Sequence, residues 1–234
     1  MSKNEKIAIL IPAYNPDEEL LALVRNLRTK FTHVLVIDDG SASGDVFGHV
    51  ESLGGMVLHH VANRGKGAAL RTGMAWIVEH WMHVMGIVTA DADGQHSVAD
   101  IGRIADALEN QEPRLVLGTR SFRKDVPFRS RIGNLLTCLL FHLLTGIRLA
   151  DTQTGLRGIP RGMLERMLEI PGDGYEYEMR MLADCRHHPL PPREVKIATI
   201  YRAGNSSSHF SPLKDSVKVW RALLGSVFGG RAGK

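Results

Sequence analysis

Short apolar runs that end in polar residues recur through the first half of the chain, and most are followed by a stretch of helical periodicity. Residues 7–11 form the first run, continuous in the way expected of a strand covered on both faces of an α/β sheet. Pro12, Ala13, Tyr14, Asn15 and Pro16 break it. Asn15 is placed to cap a helix with Pro16 in its first position, Asp17, Glu18 and Glu19 in its first turn, and Leu20, Leu23, Val24 and Leu27 as its apolar stripe. Residues 34–37 predict a second strand ending in Asp38-Asp39-Gly40-Ser41, and residues 56–58 a third. The loop Asn63-Arg64-Gly65-Lys66-Gly67 feeds an alanine-rich helix over residues 68–83. A strand at 86–90 runs into Asp91-Ala92-Asp93-Gly94-Gln95-His96. Ser97, with Asp100 as a capping-box-like partner, then starts a helix whose stripe is Val98, Ile101, Ile104, Ala105 and Leu108. Residues 115–117 predict the next strand, which ends in Gly118-Thr119-Arg120.

Strands alternating with helices through short polar turns predict a single α/β domain with a mostly parallel central sheet and a ligand site beyond the strands' carboxyl ends. The polar strand ends would then converge. The second half is less regular. Residues 121–131 form a basic loop, 135–144 an apolar helix, 151–159 a loop and short strand, 175–187 a helix and 194–201 a strand. After a polar linker at 205–209, Ser211 and Pro212 start a last helix with Leu213, Val217, Trp220, Leu224 and Val227 on one stripe and Lys214, Lys218 and Arg221 elsewhere. The expected division is a main domain over 1–205 and an amphipathic helix and tail over 206–234, the tail from 229 being disordered.

A chain of 234 residues with 44% hydrophobic and 23% charged residues buries a full core, which excludes disorder of the whole. Its 29 Lys and Arg against 25 Asp and Glu make it mildly basic, which suits a phosphorylated ligand or an anionic membrane surface. Cys138 and Cys185 have no metal-type spacing and read as reduced, packed thiols, which fits a cytoplasmic compartment. The N-terminus reads as lacking a secretory signal, and the 135–144 run is about half the length that spans a bilayer. Low aromatic content in the basic stretches argues against nucleic acid as a partner.

Asp91 and Asp93, followed by Gln95, are costly to desolvate together unless something positive sits between their oxygens. They read as a clamp for a divalent metal and a diphosphate, against the alternative of a solvated turn beside a helix start. One aspartate of Asp38-Asp39-Gly40-Ser41 is either an acceptor for a nucleotide base or ribose or only part of a β-turn. Lys66 between two glycines at a helix start suits a phosphate oxygen, although the loop fits neither the dinucleotide nor the NTPase glycine pattern. The histidine pairs, His59-His60 and His187-His188, and the helix-spaced His80 and His83 lack ligand-spaced carboxylates or cysteines and read as packing or surface residues. Arg120, Arg123, Arg129, Arg131, Arg148 and Arg157 form either a solvated basic face or a holder for a second phosphate.

Taken in order, Ile11-Pro12-Ala13-Tyr14-Asn15, Val36-Ile37-Asp38-Asp39-Gly40-Ser41, Asn63-Arg64-Gly65-Lys66-Gly67, Asp91-Ala92-Asp93-Gly94-Gln95-His96, Gly118-Thr119-Arg120, Thr154-Gly155-Leu156-Arg157 and Gly174-Tyr175-Glu176-Tyr177-Glu178 resemble the motifs of family 2 glycosyltransferases. The nearest branch is similar to dolichyl- and polyprenyl-phosphate sugar synthases, such as dolichyl-phosphate mannose synthase. That resemblance implies a single nucleotide-sugar-binding domain of the GT-A type. Pro12, Tyr14, Asn15 and Asp39 would bind the nucleoside side of the donor, with Lys66 and Glu176 also on the substrate. Asp91 would meet the nucleotide or sugar and contribute to the metal site, and Asp93 with Gln95 would ligate Mg²⁺ or Mn²⁺. Arg120 and Arg131 match arginines on an acceptor phosphate, and Arg157 matches the arginine after the T-G-L pair. Pro16 stands where the family often has Glu.

The implied activity is inverting transfer from a UDP- or GDP-sugar to a polyprenyl (dolichyl or undecaprenyl) phosphate. The alternatives are a hydroxyl acceptor in cell-surface polysaccharide synthesis, with Asp151, Glu176 or Glu178 as base, and a non-catalytic nucleotide-sugar binder. A nucleotidyltransferase on a similar sheet is disfavoured by the lack of a glycine-rich, basic N-terminal loop. Membrane contact at the cytoplasmic face would fall to residues 135–144, bracketed by Arg129, Arg131 and Arg148, and to the basic last helix.

Overall fold

The computed structural model describes residues 3–109, 113–120 and 128–198, with backbone alone for residues 128–133. Residues 121–127 of the expected loop at 121–131, the end of the last predicted strand beyond 198, the linker at 205–209, the helix from Ser211, the tail and the whole 206–234 extension lie outside the described residues, while residues 128–131 of that loop are instead helical, at the start of a helix over Phe128–Thr145.

In chain order the elements are β1 (Asn4–Ala13), α1 (Glu18–Arg28), β2 (Phe31–Asp38), α2 (Asp45–Ser52), β3 (Met56–His59), α3 (Lys66–His80), β4 (Gly86–Thr89) and α4 (Val98–Glu109). They continue with β5 (Val116–Arg120), α5 (Phe128–Thr145), β6 (Arg157–Pro160), α6 (Arg161–Glu169), α7 (Glu176–Asp184) and β7 (Arg193–Ile197). The described strands form one sheet in the order β3-β2-β1-β4-β6-β5-β7. Neighbours pair in parallel except at β6, which runs antiparallel to β4 and β5.

Period-two alternation divides the core. Ile7, Ile9 and Ile11 of β1 face the layer of α1, α2 and α4, where Leu20, Leu23, Val24, Leu27, Ile101 and Ile104 close over them. Ala8 and Leu10 face the layer of α3, α6 and α7 with Ala69, Met74, Ile77, Leu164 and Leu182. A strand buried on both faces has no polar side to show, which is why residues 7–11 carry no polar position.

The chain leaves β1 through α1 to β2 and β3 on one side, then returns through α3 to β4 on the other side of β1. Strand order therefore reverses at β1, and the carboxyl ends of β1, β2 and β4 open together. Leu10 pairs with Leu35 on β2 and Thr89 on β4, so the three strand ends lie side by side.

Several boundaries differ from the sequence pattern. Asn15 does not cap α1: its φ is +45°, its N–H donates to Ser41 Oγ at 2.8 Å, and its side-chain oxygen accepts from Ala42 N at 2.8 Å. The cap is Asp17, which is extended and accepts from Glu19 N at 3.0 Å. A proline disfavours the helical region in the residue before it, so the helix waits until after Pro16. Ser97 does start α4, with Asp100 N donating to its Oγ at 3.0 Å and its hydroxyl donating to Asp100 Oδ2 at 2.8 Å. Helix α3 starts at Lys66 and stops at His80, earlier than predicted at both ends. Helices α2 and α6 went unpredicted, being short stretches of eight and nine residues with two and three buried positions. Among the described residues no helix is long and apolar enough to cross a membrane.

Candidate active site at the carboxyl ends of the strands

Strand β4 is fully buried up to Thr89, and the next six residues turn across its end. Asp91 Oδ1 lies 2.7 Å from Lys66 Nζ, and the same ammonium is 2.8 Å from Glu178 Oε2. Asp91 Oδ2 accepts from His96 Nε2 at 3.3 Å. The lysine also sits over the Tyr175 ring, 5.8 Å from its centroid. Residues from the β4 end, the start of α3 and the start of α7 thus meet at one cation.

The charges are held firmly. Burial pushes the Asp91 carboxyl up, but Lys66 and His96 outweigh it and hold the group far below the usual carboxylate range. Burial likewise pulls Lys66 down, while the carboxylates of Asp91 and Glu178 keep its ammonium above its ordinary value. Asp93 goes the other way: burial, then the neighbouring Asp91 charge, raise its carboxyl above the usual range, even though its Oδ1 accepts from Gln95 N at 3.0 Å.

Two glycines let the loops close in. Gly65 has φ +98°, and a Cβ there would lie 2.3 Å from the Asp173 carbonyl oxygen, so the 63–67 loop and the segment before α7 touch through backbone. At Gly155 a Cβ would stand 2.5 Å from Asp91 Oδ2. The loop carrying Gly155 is fixed beside the carboxyl end of β4 by Thr89 Oγ1 donating to the Gly155 carbonyl at 2.7 Å.

Asp39 is buried and grips the lysine loop. Its Oδ1 takes His60 Nδ1 at 2.7 Å and Arg64 N at 2.9 Å, and its Oδ2 takes Gly65 N at 2.8 Å. His60 Nε2 in turn meets Thr72 Oγ1 on α3 at 3.0 Å. Asp38 points the other way, to His59 Nδ1 and Ser41 N, both at 2.8 Å. Pro12 and Tyr14 are half-buried at the β1 end and Asn15 is exposed beside them.

The arginines separate. Arg120, at the end of β5, makes a two-pronged pair with Asp151, Nε to Oδ2 at 2.7 Å and Nη2 to Oδ1 at 3.1 Å, and Asp151 is fully buried. Arg157, 1% exposed, faces inward: Nε donates to the Thr154 carbonyl at 3.1 Å, Nη1 donates to the Glu178 carbonyl, and Glu178 Oε1 is 3.8 Å from Nε. It joins β6 to α7 beneath Glu178. Arg131 lies in α5, with its side chain outside the described part. Glu176, half-buried at the start of α7, accepts from Gly174 N at 3.1 Å, so the acidic partner of Lys66 is Glu178. The paired acids of Gly174-Tyr175-Glu176-Tyr177-Glu178 signalled one such residue, but not which. Thr72 carried no signal of its own in the sequence, His60 was read only as a packing or surface residue, and Gly155 stood only as part of the Thr154-Gly155-Leu156-Arg157 motif.

Asp93 and Gln95 are hard oxygen donors two residues apart on a half-buried turn with excess negative charge, a set that suits Mg²⁺ or Mn²⁺. Among the described residues no three His, Cys, Asp or Glu side chains converge on one point, so the chain would supply part of a coordination shell, as is usual where ligand oxygens and water complete it.

Residues 8–168 match the profile of glycosyl transferase family 2. A UDP-N-acetylglucosamine–dolichyl-phosphate N-acetylglucosaminyltransferase of Methanococcus voltae is 28% identical over 83% of this chain and 86% of its own. A polyprenol monophosphomannose synthase of Mycolicibacterium smegmatis is 26% identical over 75% and 70%, respectively. An uncharacterized protein of Methanocaldococcus jannaschii is 28% identical over 96% and 93%. In structure, the chain superposes with a TM-score of 0.70 on glucosyl-3-phosphoglycerate synthase from Mycobacterium tuberculosis, crystallised with Mn²⁺, UDP and phosphoglyceric acid, at 18% identity over 95% of this chain and 78% of that one. The sheet and its flanking helices are thus of the GT-A type.

Proposed function

Since the chain belongs to glycosyl transferase family 2, we propose that it transfers a sugar with inversion from a UDP- or GDP-sugar to a polyprenyl phosphate. The observation that carries the acceptor class is the fate of the carboxylates. A hydroxyl acceptor needs a base, yet Asp151 is fully buried on Arg120, Glu178 is engaged by Lys66, and Glu176 holds the Gly174 amide. A phosphate acceptor is already an anion at neutral pH and needs none. The names of the Methanococcus and Mycolicibacterium relatives support the same acceptor.

The acceptor oxygen attacks the anomeric carbon on the face opposite the nucleoside diphosphate. The bond to the diphosphate breaks as the new one forms, through an oxocarbenium-like state. Mg²⁺ or Mn²⁺ on Asp93 and Gln95 would supply Lewis-acid stabilisation of the departing diphosphate. Lys66 brings fixed positive charge to the same region, its ammonium oriented by Asp91 and Glu178 so that no reorganisation is needed as charge develops. Asp39 positions that lysine through the Arg64 and Gly65 amides. In this reading Asp91 meets the nucleotide sugar, the half-buried Pro12 and Tyr14 with Asn15 line the nucleoside side, and Arg120, oriented by Asp151, would bind the acceptor phosphate, with Arg131 as the second arginine assigned to it by the family resemblance.

A lipid acceptor also gives a role to the outer face of α5, where Leu135, Leu136, Leu139 and Leu143 are 51–70% exposed. In this reading they meet the bilayer interface at the cytoplasmic face.

Purified protein with Mn²⁺ or Mg²⁺, a panel of UDP- and GDP-sugars and a polyprenyl phosphate should release nucleoside diphosphate and form a glycosylated lipid. Asp93→Ala should lower that rate by about a thousandfold or more. Equal turnover with the neutral polyprenol, or none with the phosphate, would overturn the acceptor assignment.

A further inference from the structure

At the opposite end of the sheet, two imidazoles 50 residues apart in sequence face each other. His33 is half-buried near the start of β2, paired in register with Ala8 of β1, and His83 stands exposed in the turn between α3 and β4. Their Nε2 atoms are 2.9 Å apart. The ring centroids are 4.8 Å apart with planes inclined by 58°, and the Trp81 ring lies 4.5 Å from that of His33. The geometry points to a transition-metal site at His33 and His83, selective for Cu²⁺ or Ni²⁺.

Two imidazole nitrogens bound to one ion at about 2.0–2.1 Å lie about 2.9 Å apart at a right angle and about 3.4 Å apart at a tetrahedral angle. The 2.9 Å observed is that of a hydrogen bond between the two imidazoles, and it is also the spacing of neighbouring positions of a square-planar or tetragonal ion, so such an ion could replace the shared proton with little movement of the rings. Ring orientation agrees in sense. Rings meeting head-on through a hydrogen bond of this length would have centroids about 5.2 Å apart, and rings converging at a right angle on one ion about 4.5 Å. At 4.8 Å, between these two values, the rings are not collinear.

Imidazole is also the donor these ions favour, in its neutral form. The Arg28 guanidinium is turned to the carbonyls of Phe31 and Thr32, and Glu5 contributes nearby negative charge. Because no third ligating side chain converges among the described residues, water would fill the other positions. An ion here would clip β2 to the α3–β4 turn across β1, at the end of the sheet away from Asp91.

Full-length protein freed of metal with a chelator is titrated with CuCl₂, NiCl₂ and ZnCl₂ while tryptophan fluorescence and Tm are followed. Cu²⁺ should quench saturably at one ion per chain and micromolar concentration, more tightly than Zn²⁺. At about a hundredfold excess over Kd it should raise Tm by about 5 °C. His83→Gln, on an exposed turn, should weaken Cu²⁺ binding about tenfold or more and leave sugar transfer unchanged, and His33→Gln should weaken binding likewise. The Cu²⁺ spectrum in electron paramagnetic resonance should lose one imidazole nitrogen in either variant. Absence of saturable quenching, or unchanged affinity in His83→Gln, would overturn the site.

Discussion

Lys66 is the residue on which the site's charge balance turns. An ammonium alone among buried groups would lose its proton, and Asp91 and Glu178 without it would repel each other, so the three are stable only as a set. Gly155 sets how near the T-G-L loop comes to Asp91. A methyl group there would press on the carboxylate of Asp91, which Lys66 and His96 hold, so it costs stability as well as displacing a carboxylate in the site. Gly155→Ala should therefore lower Tm and also lower kcat/KM about tenfold or more for the fraction that remains folded, checked by steady-state kinetics below the unfolding transition beside thermal unfolding. A variant that unfolds early yet turns over normally when folded would contradict this role.

Helix α5 separates two functions across its faces. Phe141 is buried in the core and Asn134 Nδ2 holds the Ala150 carbonyl at 2.9 Å, next to the Asp151 that engages Arg120. On the outside, Leu135, Leu139 and Leu143 recur every fourth residue and are more than half exposed. Replacing these three with serine should leave Tm within about 2 °C of wild type, because solvent already covers them. The same variant should lose flotation with anionic liposomes and transfer to a long-chain polyprenyl phosphate, while keeping transfer to a short, soluble analogue. Retained flotation would remove α5 from the membrane reading.

Across the whole molecule, pH acts on opposed carboxylates. Asp91 is depressed, so its stabilisation is present above the ordinary carboxylate value and lost only as pH falls through its lower folded value. Lys66 is raised, so its share is present below the ordinary lysine value and lost as pH rises through its higher one. The pair is intact throughout the neutral range. Asp93 has the reverse sign: its raised carboxyl costs the fold stability as pH climbs from the ordinary carboxylate value through the folded one. Asp93→Asn should thus have a higher Tm than wild type at pH 7 in chelator, the gap closing toward pH 3, while being inactive in transfer. Saturating Mn²⁺ should raise the wild-type Tm and leave the variant's nearly unmoved.

Residues 7–11, the stripe of α1 and the Ser97 start of α4 were legible because burial on two faces or one leaves a local period that no other part of the chain needs to supply. The ordered motifs likewise brought Asp39, Lys66, Asp91 and Asp93 to one edge of the sheet, since a parallel strand must end where the next loop begins. The sequence could not say that Asn15 would turn left-handed toward Ser41, that β6 would run against its neighbours, or that Arg157 would face inward while Glu178, not Glu176, met Lys66. Nor could it bring His33 to His83. Those choices depend on which buried groups find partners across long loops, and a partner far away in the chain leaves no periodic trace. Local pattern determined the elements and their polar ends; only packing decided which charges meet there.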